Sequence, residues 1–259
     1  MHERVVLCDL DGVVWLAHQP IPGSVEAVAR LRAAGHRVLF VTNNSATRIE
    51  VQEATLAAIG VPADGDVLTS AMAAAELLYP GERALVCGGD GVVQALERRG
   101  VETCTDGDVD AVVVGFHLHF DFAGLARAAR AVRRGARLIG TNDDATYPTP
   151  DGPIPGGGSI LAAVETACGL KATVAGKPHA PMAALVRAVV GEEAARHALM
   201  VGDRPSTDGL FARMLGCGYA QVWSGVTPAG AAVEPQPDLA VDDLAAVADV
   251  LVAGRYFRE

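Results

Sequence analysis

Positive charge is in short supply. The 259 residues carry 21 Lys plus Arg against 31 Asp plus Glu, a formal net charge of −10. That sign repels nucleic-acid phosphates and anionic membrane surfaces, so neither nucleic acid nor membrane is expected as a partner. Cysteine is sparse as well. Cys8, Cys87, Cys104, Cys168 and Cys217 are odd in number, widely spaced and without a CxxC pair, which excludes a disulfide framework and reads as reduced cytosol. No run approaches the roughly 18 uncharged apolar residues of a membrane span. Glu3 and Arg4 close behind Met1, with only a short apolar run after them, exclude a signal peptide. A soluble, cytoplasmic protein is the expectation.

What the chain does have is apolar content and alternation. Hydrophobic residues make up 50%, and the 20% charged fraction is spread rather than blocked, which excludes disorder as the main state. The length suits one large domain or two unequal ones. Short apolar runs at Val5 to Cys8, Val38 to Val41, Leu85 to Cys87, Ala111 to Val114, Ala198 to Val201 and Tyr219 to Trp223 read as buried strands. Helix spacing lies between them, at Val25, Val28 and Leu31 and at Met182, Leu185, Val186 and Val189. Gly35, Gly60, Gly100 and Gly191 stand where helices should stop. Strand and helix in alternation predict an α/β fold with parallel sheets. Chain breaks at Tyr79-Pro80-Gly81 and Ala175-Gly176 predict two domains, one made of residues 1–81 and 176–259, the other inserted at 82–175.

The chemistry begins where the first strand ends, at Asp9-Leu10-Asp11-Gly12. The carboxyl edge of a parallel sheet is where ligands bind, and Gly12 lets the backbone turn away while both acids stay near one site. Two carboxylates this close need a cation, and a hard divalent ion with oxygen ligands, typically Mg²⁺, supplies it. Val38 to Val41 runs into Thr42-Asn43-Asn44-Ser45, a set of donors suited to phosphate oxygens. Gly176-Lys177-Pro178 puts one lysine before a helix. Ala198 to Val201 leads into Gly202-Asp203-Arg204-Pro205-Ser206-Thr207-Asp208, with two more carboxylates at a strand end. Taken singly, each is also what an ordinary turn or helix cap looks like.

Together, in this order, these four elements resemble the haloacid dehalogenase-like (HAD) superfamily of phosphohydrolases. VTNNS, GTNDDATYP, IPGGGS, GKP and GDRPSTD narrow the resemblance to subfamily IIA, the NagD and p-nitrophenyl phosphatase-like family. The resemblance implies a Rossmann-like parallel-sheet core with an inserted α/β cap domain of the C2 type. It makes Asp9 the nucleophile that forms an aspartyl-phosphate and Asp11 the general acid and then base. Thr42 and Lys177 would hold the phosphoryl oxygens, with Asn43 and Asn44 beside them. Mg²⁺ would be bound by the Asp9 carboxylate, the Asp11 carbonyl and Asp203, with Asp208 behind them orienting metal-bound waters or Lys177. The implied partner is a small phosphate ester, and a homodimer through the cap is the implied assembly.

The cap departs from the family pattern at Phe116-His117-Leu118-His119-Phe120-Asp121-Phe122, where an aromatic followed by Asp is usual. His117 and His119 are a candidate metal pair, since alternate strand residues share one face, beside the plainer reading of ordinary surface or cap histidines. Asn142 and Asp144, in a loop after Ala136 to Ile139, are candidate substrate contacts; a simple turn is the alternative. Pro155 to Ser159 could make an anion nest or only a tight packing site. Gly88-Gly89-Asp90-Gly91 lacks the full GxGxxG spacing of a dinucleotide loop. Trp15 and Trp223 read as packing residues. The leading function is a Mg²⁺-dependent phosphomonoesterase. A phosphotransferase or mutase using the same intermediate, and a non-catalytic phosphate-binding or phosphoacceptor protein, are the alternatives.

Overall fold

The computed structural model describes residues 4–147, 149 and 152–256. The chain divides into two compact units. The first runs up to Thr42, resumes for Gln52–Leu68 and continues from Val186 onward; the second comprises Asn43–Val51 and Thr69–Leu185.

The first unit is built on a six-stranded sheet in the order Leu239–Val241, Gly218–Val222, Leu199–Gly202, Val5–Cys8, Arg37–Thr42, Val67–Thr69. Val5–Cys8 lies in the middle, paired in parallel with Leu199–Gly202 on one side and Arg37–Thr42 on the other. Its four residues are buried on both faces, which is why the run is continuously apolar rather than alternating. Helix Ser24–Ala33 buries Ala27, Val28 and Leu31, and helix Leu244–Val252 buries Leu244, Val247, Ala248 and Leu251; the two pack together. After the first strand the chain makes a hairpin, Trp15–Leu16 against Gln19–Pro20. Its two loop residues, Ala17 and His18, have positive φ, the hand that matches strand twist.

The second unit has a five-stranded sheet in the order Thr173–Val174, Arg137–Gly140, Ala111–Val114, Arg83–Cys87, Glu102–Cys104, parallel throughout. Helices Phe122–Arg133 and Gly157–Cys168 pack together, and Val112, Val114, Leu138, Ala128, Val132, Leu161 and Val164 form the core with them. Segment 43–51 is sewn into this unit. Ser45 Oγ meets Thr141 Oγ1 at 2.9 Å, Gly91 N donates to the Ala46 carbonyl at 2.9 Å, and buried Gln94 bonds Ile49 N and Glu50 Oε2.

Both units are therefore α/β with Rossmann-like parallel sheets, as the alternation predicts. The expected strands Val5 to Cys8 and Ala111 to Val114 coincide with the observed ones, and the others agree within two residues. Gly35, Gly60, Gly100 and Gly191 all have positive φ at helix ends. No helix among the described residues is long and apolar enough to cross a membrane.

Candidate active site

In the first unit the chain leaves the central strand in two directions. It runs outward through Arg37–Thr42 and Val67–Thr69 on one side, and through Leu199–Gly202, Gly218–Val222 and Leu239–Val241 on the other. The boundary between Val5–Cys8 and Leu199–Gly202 is thus a topological switch point, the place where open parallel sheets form a crevice at the carboxyl ends of their strands. Asp9 emerges there, its amide donating to the Val201 carbonyl at 2.9 Å. Asp203 follows the neighbouring strand, and Thr42, 3% exposed, ends the strand on the other side.

The carboxylate oxygens of Asp9, Asp203 and Asp208 lie within 4.8 Å of one another. Asp203 is 3% exposed, Asp208 is fully buried and Asp9 is half-buried. Three like charges at this spacing and burial call for a cation, and an oxygen-only donor set fits a hard divalent ion rather than zinc or copper. The charge is felt by Tyr219, fully buried nearby. Burial foremost, and then Asp208, Asp203 and Asp9, push its phenol far above the usual tyrosine range.

The surrounding backbone is shaped to hold these acids. Val226 N donates to Asp203 Oδ2 at 2.6 Å, and Gln221 Nε2 donates to the Asp203 carbonyl at 3.0 Å. Arg204 N donates to Asp208 Oδ2 at 3.2 Å, and Asp208 itself sits in a single π-helical turn, Pro205–Gly209, a form that recurs at functional sites. A β-carbon at Gly225 would approach Asp203 Oδ2 to 2.0 Å, and one at Gly202 would approach Asp208 Cγ to 2.2 Å. Only hydrogen fits at either place. Asp11 is half-buried in the turn that follows Asp9, where the amides of Val13, Val14 and Trp15 converge on the Leu10 carbonyl. Ser224 Oγ ties that turn to its neighbour by donating to the Gly12 carbonyl at 2.7 Å.

The second unit holds the remaining predicted residues. Lys177 is 2% exposed. Its amide donates to Asn43 Oδ1 at 2.8 Å, and its carbonyl accepts from Asn43 Nδ2 at 3.0 Å. Asn43 Nδ2 also donates to Asp144 Oδ2 at 2.9 Å. The Asn43 carbonyl accepts from Ser70 Oγ and from Asn142 Nδ2, both at 2.8 Å. Asn142, 4% exposed, uses its other end to accept from Asp144 N at 3.2 Å, and Asn44 Oδ1 accepts from Ala46 N at 3.1 Å. Asn43, Ser70, Asn142, Asp144 and Lys177 thus form one network. Beside it, His179 Nε2 lies 2.9 Å from Asp143 Oδ2.

Several of these supports carry no recognisable sequence signal. Gln221 and Ser70 are buried polar residues inside apolar stretches, and Ser224, Gly225 and Val226 form a loop with no motif beyond its place at a strand end. Two side readings change. The strand ends at Val114, so His117 and His119 lie in the loop that follows it and not along a strand face; His117 Nε2 instead sits 3.7 Å from Cys87 Sγ. Among the described residues the one group of three acids, histidines or cysteines placed to hold a metal is Asp9, Asp203 and Asp208. At Pro155 to Ser159, the amides of Gly156, Gly158 and Ser159 already donate to carbonyls of Ala145, Asp144 and Gly156, so this is a packed helix start rather than an anion nest.

Known proteins share this fold and much of this sequence. Residues 6–102 match the model of the haloacid dehalogenase-like hydrolases, and residues 174–247 match a second HAD-hydrolase-like model. The chain is 41% identical over 240 residues to D-glycerol 3-phosphate phosphatase of Mycobacterium tuberculosis, covering 90% of itself and 66% of that protein. The crystal structure of glycerol phosphate phosphatase from the same organism, in complex with magnesium, superposes with a TM-score of 0.85 at 36% identity over 93% of this chain and 75% of that one. The p-nitrophenyl phosphatase from Archaeoglobus fulgidus gives 0.86 at 27% identity, over 96% of this chain and all of that one. With the acids, the switch point and these relatives in agreement, the chain belongs to the haloacid dehalogenase-like hydrolases, in the subfamily IIA branch of NagD and the p-nitrophenyl phosphatases.

Proposed function

We propose that the chain is a phosphoric monoester hydrolase that uses Mg²⁺ and works through an aspartyl-phosphate on Asp9. The observation that carries this is the convergence of Asp9, Asp203 and Asp208 within 4.8 Å at the carboxyl ends of adjacent strands. The carboxylates of Asp9 and Asp203 and the main-chain carbonyl of Asp11 would hold the metal, leaving the Asp11 carboxyl free to carry a proton, and Asp208 would orient the metal's waters from behind. When bound, Mg²⁺ neutralises the acids and balances the charge of the phosphoryl group.

In the first step an Asp9 oxygen attacks phosphorus in line, and the ester P–O bond breaks. Asp11 gives its proton to the departing alcohol oxygen. In the second step Asp11, now a carboxylate, takes a proton from water as the water oxygen attacks phosphorus. The P–O bond to Asp9 breaks, releasing phosphate and restoring both acids. Thr42, the Asn43 main chain, Asn44 and Lys177 bind the phosphoryl oxygens as their charge redistributes. Residues 82–175 serve as the cap, and Asn142 and Asp144 serve the substrate by shaping the loop around Asn43. The resemblance to D-glycerol 3-phosphate phosphatase makes a short polyol phosphate the first substrate to try.

The test is phosphate release from p-nitrophenyl phosphate, glycerol phosphate and a panel of sugar, nucleotide and cofactor monophosphates, with Mg²⁺ or EDTA. Activity should require the metal and fall on the order of 10³-fold or more in Asp9→Asn. A variant that keeps its rate would remove Asp9 from the nucleophile's role. A cytoplasmic location and a homodimer through the cap belong to the same reading. Five cysteines, none of them in a disulfide, support the first, and light scattering decides the second.

A further inference from the structure

The Asn43 carboxamide makes main-chain bonds to Lys177 in both directions, accepting from its amide at 2.8 Å and donating to its carbonyl at 3.0 Å. This is the pattern by which one strand residue registers another, and it fixes both peptide groups that flank the Lys177 Cα. The second Nδ2 hydrogen goes to Asp144, and the Asn43 carbonyl is held by Ser70 and Asn142. Space is equally committed, since a β-carbon at Gly176 would fall 2.5 Å from Asn43 Oδ1. Asn43 is also the residue covalently next to Thr42.

We propose that Asn43 is the positioning residue for Lys177: its side chain does not bind phosphate but sets the main chain from which the lysine reaches it. The consequence is that the Asn43 main chain, a phosphate donor in that reading, and Lys177 are registered to each other through one carboxamide. The proposal rests on the phosphatase reading above, in which Lys177 contacts the phosphoryl group. No other residue type does this at equal reach. Aspartate lacks the two donors and would face Asp144, while glutamine adds a methylene that the Gly176 contact leaves no room for.

The test is a double-mutant cycle of Asn43→Ala and Lys177→Ala. It reads kcat and KM on p-nitrophenyl phosphate, with enough enzyme to follow weak residual rates. The Mg²⁺-dependent rise in Tm is measured on each variant as the control for folding and metal binding. With Lys177 present, Asn43→Ala should lose about 100-fold in kcat/KM, as expected for an angstrom-scale misplacement. With Lys177 already removed, the same change should cost no more than about twofold. An equal loss in both backgrounds, or no loss in either, would overturn the proposal. If Asn43→Ala does not fold, Ser70→Ala carries the cycle: a smaller loss that vanishes in the Lys177→Ala background is expected, and a loss that persists there overturns it. An inactive wild type, seen in the same assay, would instead overturn the phosphatase reading, and an active Asp9→Asn would overturn only the assignment of Asp9 as nucleophile.

Discussion

A β-carbon on Gly12 would lie 2.5 Å from Asp203 Oδ2. The glycine that turns the chain after the first pair of acids is therefore also the surface against which a third acid rests. Its φ of 87° adds a second demand that L residues meet poorly. Gly12→Ala should cost on the order of 1–3 kcal/mol in stability. It should also weaken Mg²⁺ binding about 10- to 100-fold by displacing Asp203. Urea unfolding and calorimetric Mg²⁺ titration check the two parts separately.

Without metal, three carboxylates inside 4.8 Å repel one another. Mg²⁺ at about 100 times its Kd should stabilise the fold by about 2.7 kcal/mol, seen as a rise in Tm that EDTA reverses. Asp208→Asn removes one charge and keeps an oxygen for the Arg204 amide. The metal-free variant should therefore melt above metal-free wild type, and its gain from Mg²⁺ should shrink. A metal-free variant that melts lower would show that Asp208 is held mainly by contacts that need its charge.

Tyr219 OH donates to Gln221 Oε1 at 2.5 Å, and Gln221 in turn holds the Asp203 carbonyl. Tyr219→Phe removes that donor from a buried acceptor and should cost about 1–3 kcal/mol. Its pH signature has a definite sign. Burial and the nearby acids raise the folded phenol above its unfolded value of about 10. Stability from this group is thus complete below that pH and declines as pH rises past it, because the unfolded chain ionises first. The variant should lose this part of the alkaline decline, which urea unfolding across the alkaline range will show.

The hydrogen bond from His179, opposed by burial and aided by the charge of His179, holds the Asp143 carboxyl below its ordinary range. Here the sign is reversed: the contribution is present above the unfolded carboxyl value and fades as pH falls through the depressed one. Both side chains are more than a third exposed, so His179→Ala should cost under about 1 kcal/mol at neutral pH. The gap from wild type should close in strong acid. Denaturant titrations at the two pH values check this, and a gap that persists in acid would assign it to packing.

Much of this molecule is written locally. Val5 to Cys8 and Ala111 to Val114 are apolar at every position because both faces of their sheets are covered, so their bounds follow from the runs themselves. Asp9, Asp203 and Thr42 could be found because each directly follows or ends such a run. His117 and His119 misled because period-two spacing has meaning only inside a strand, and the strand stops at Val114. Gly88-Gly89-Asp90-Gly91 has the look of a nucleotide loop for a reason unrelated to nucleotides. A β-carbon at Gly89 would strike the Ala46 carbonyl oxygen at 2.7 Å, and one at Gly91 the Thr47 carbonyl oxygen at 2.4 Å. The grip of Asn43 on Lys177, and the support of Asp203 by Gln221 and Val226, join residues far apart in the chain. No local pattern encodes such pairs.

That close approach of Ala46 and Thr47 to the glycines bears on how the second unit can be exchanged between relatives. The second unit is not one continuous stretch, because residues 43–51 belong to it as well as 69–185. A graft cut only near residues 81 and 176 would leave the Ser45–Thr47 strap behind, matched to the glycines of this chain and not to those of the incoming unit. Chimeras that exchange the second unit should therefore carry two cassettes, the strap and the inserted sheet together.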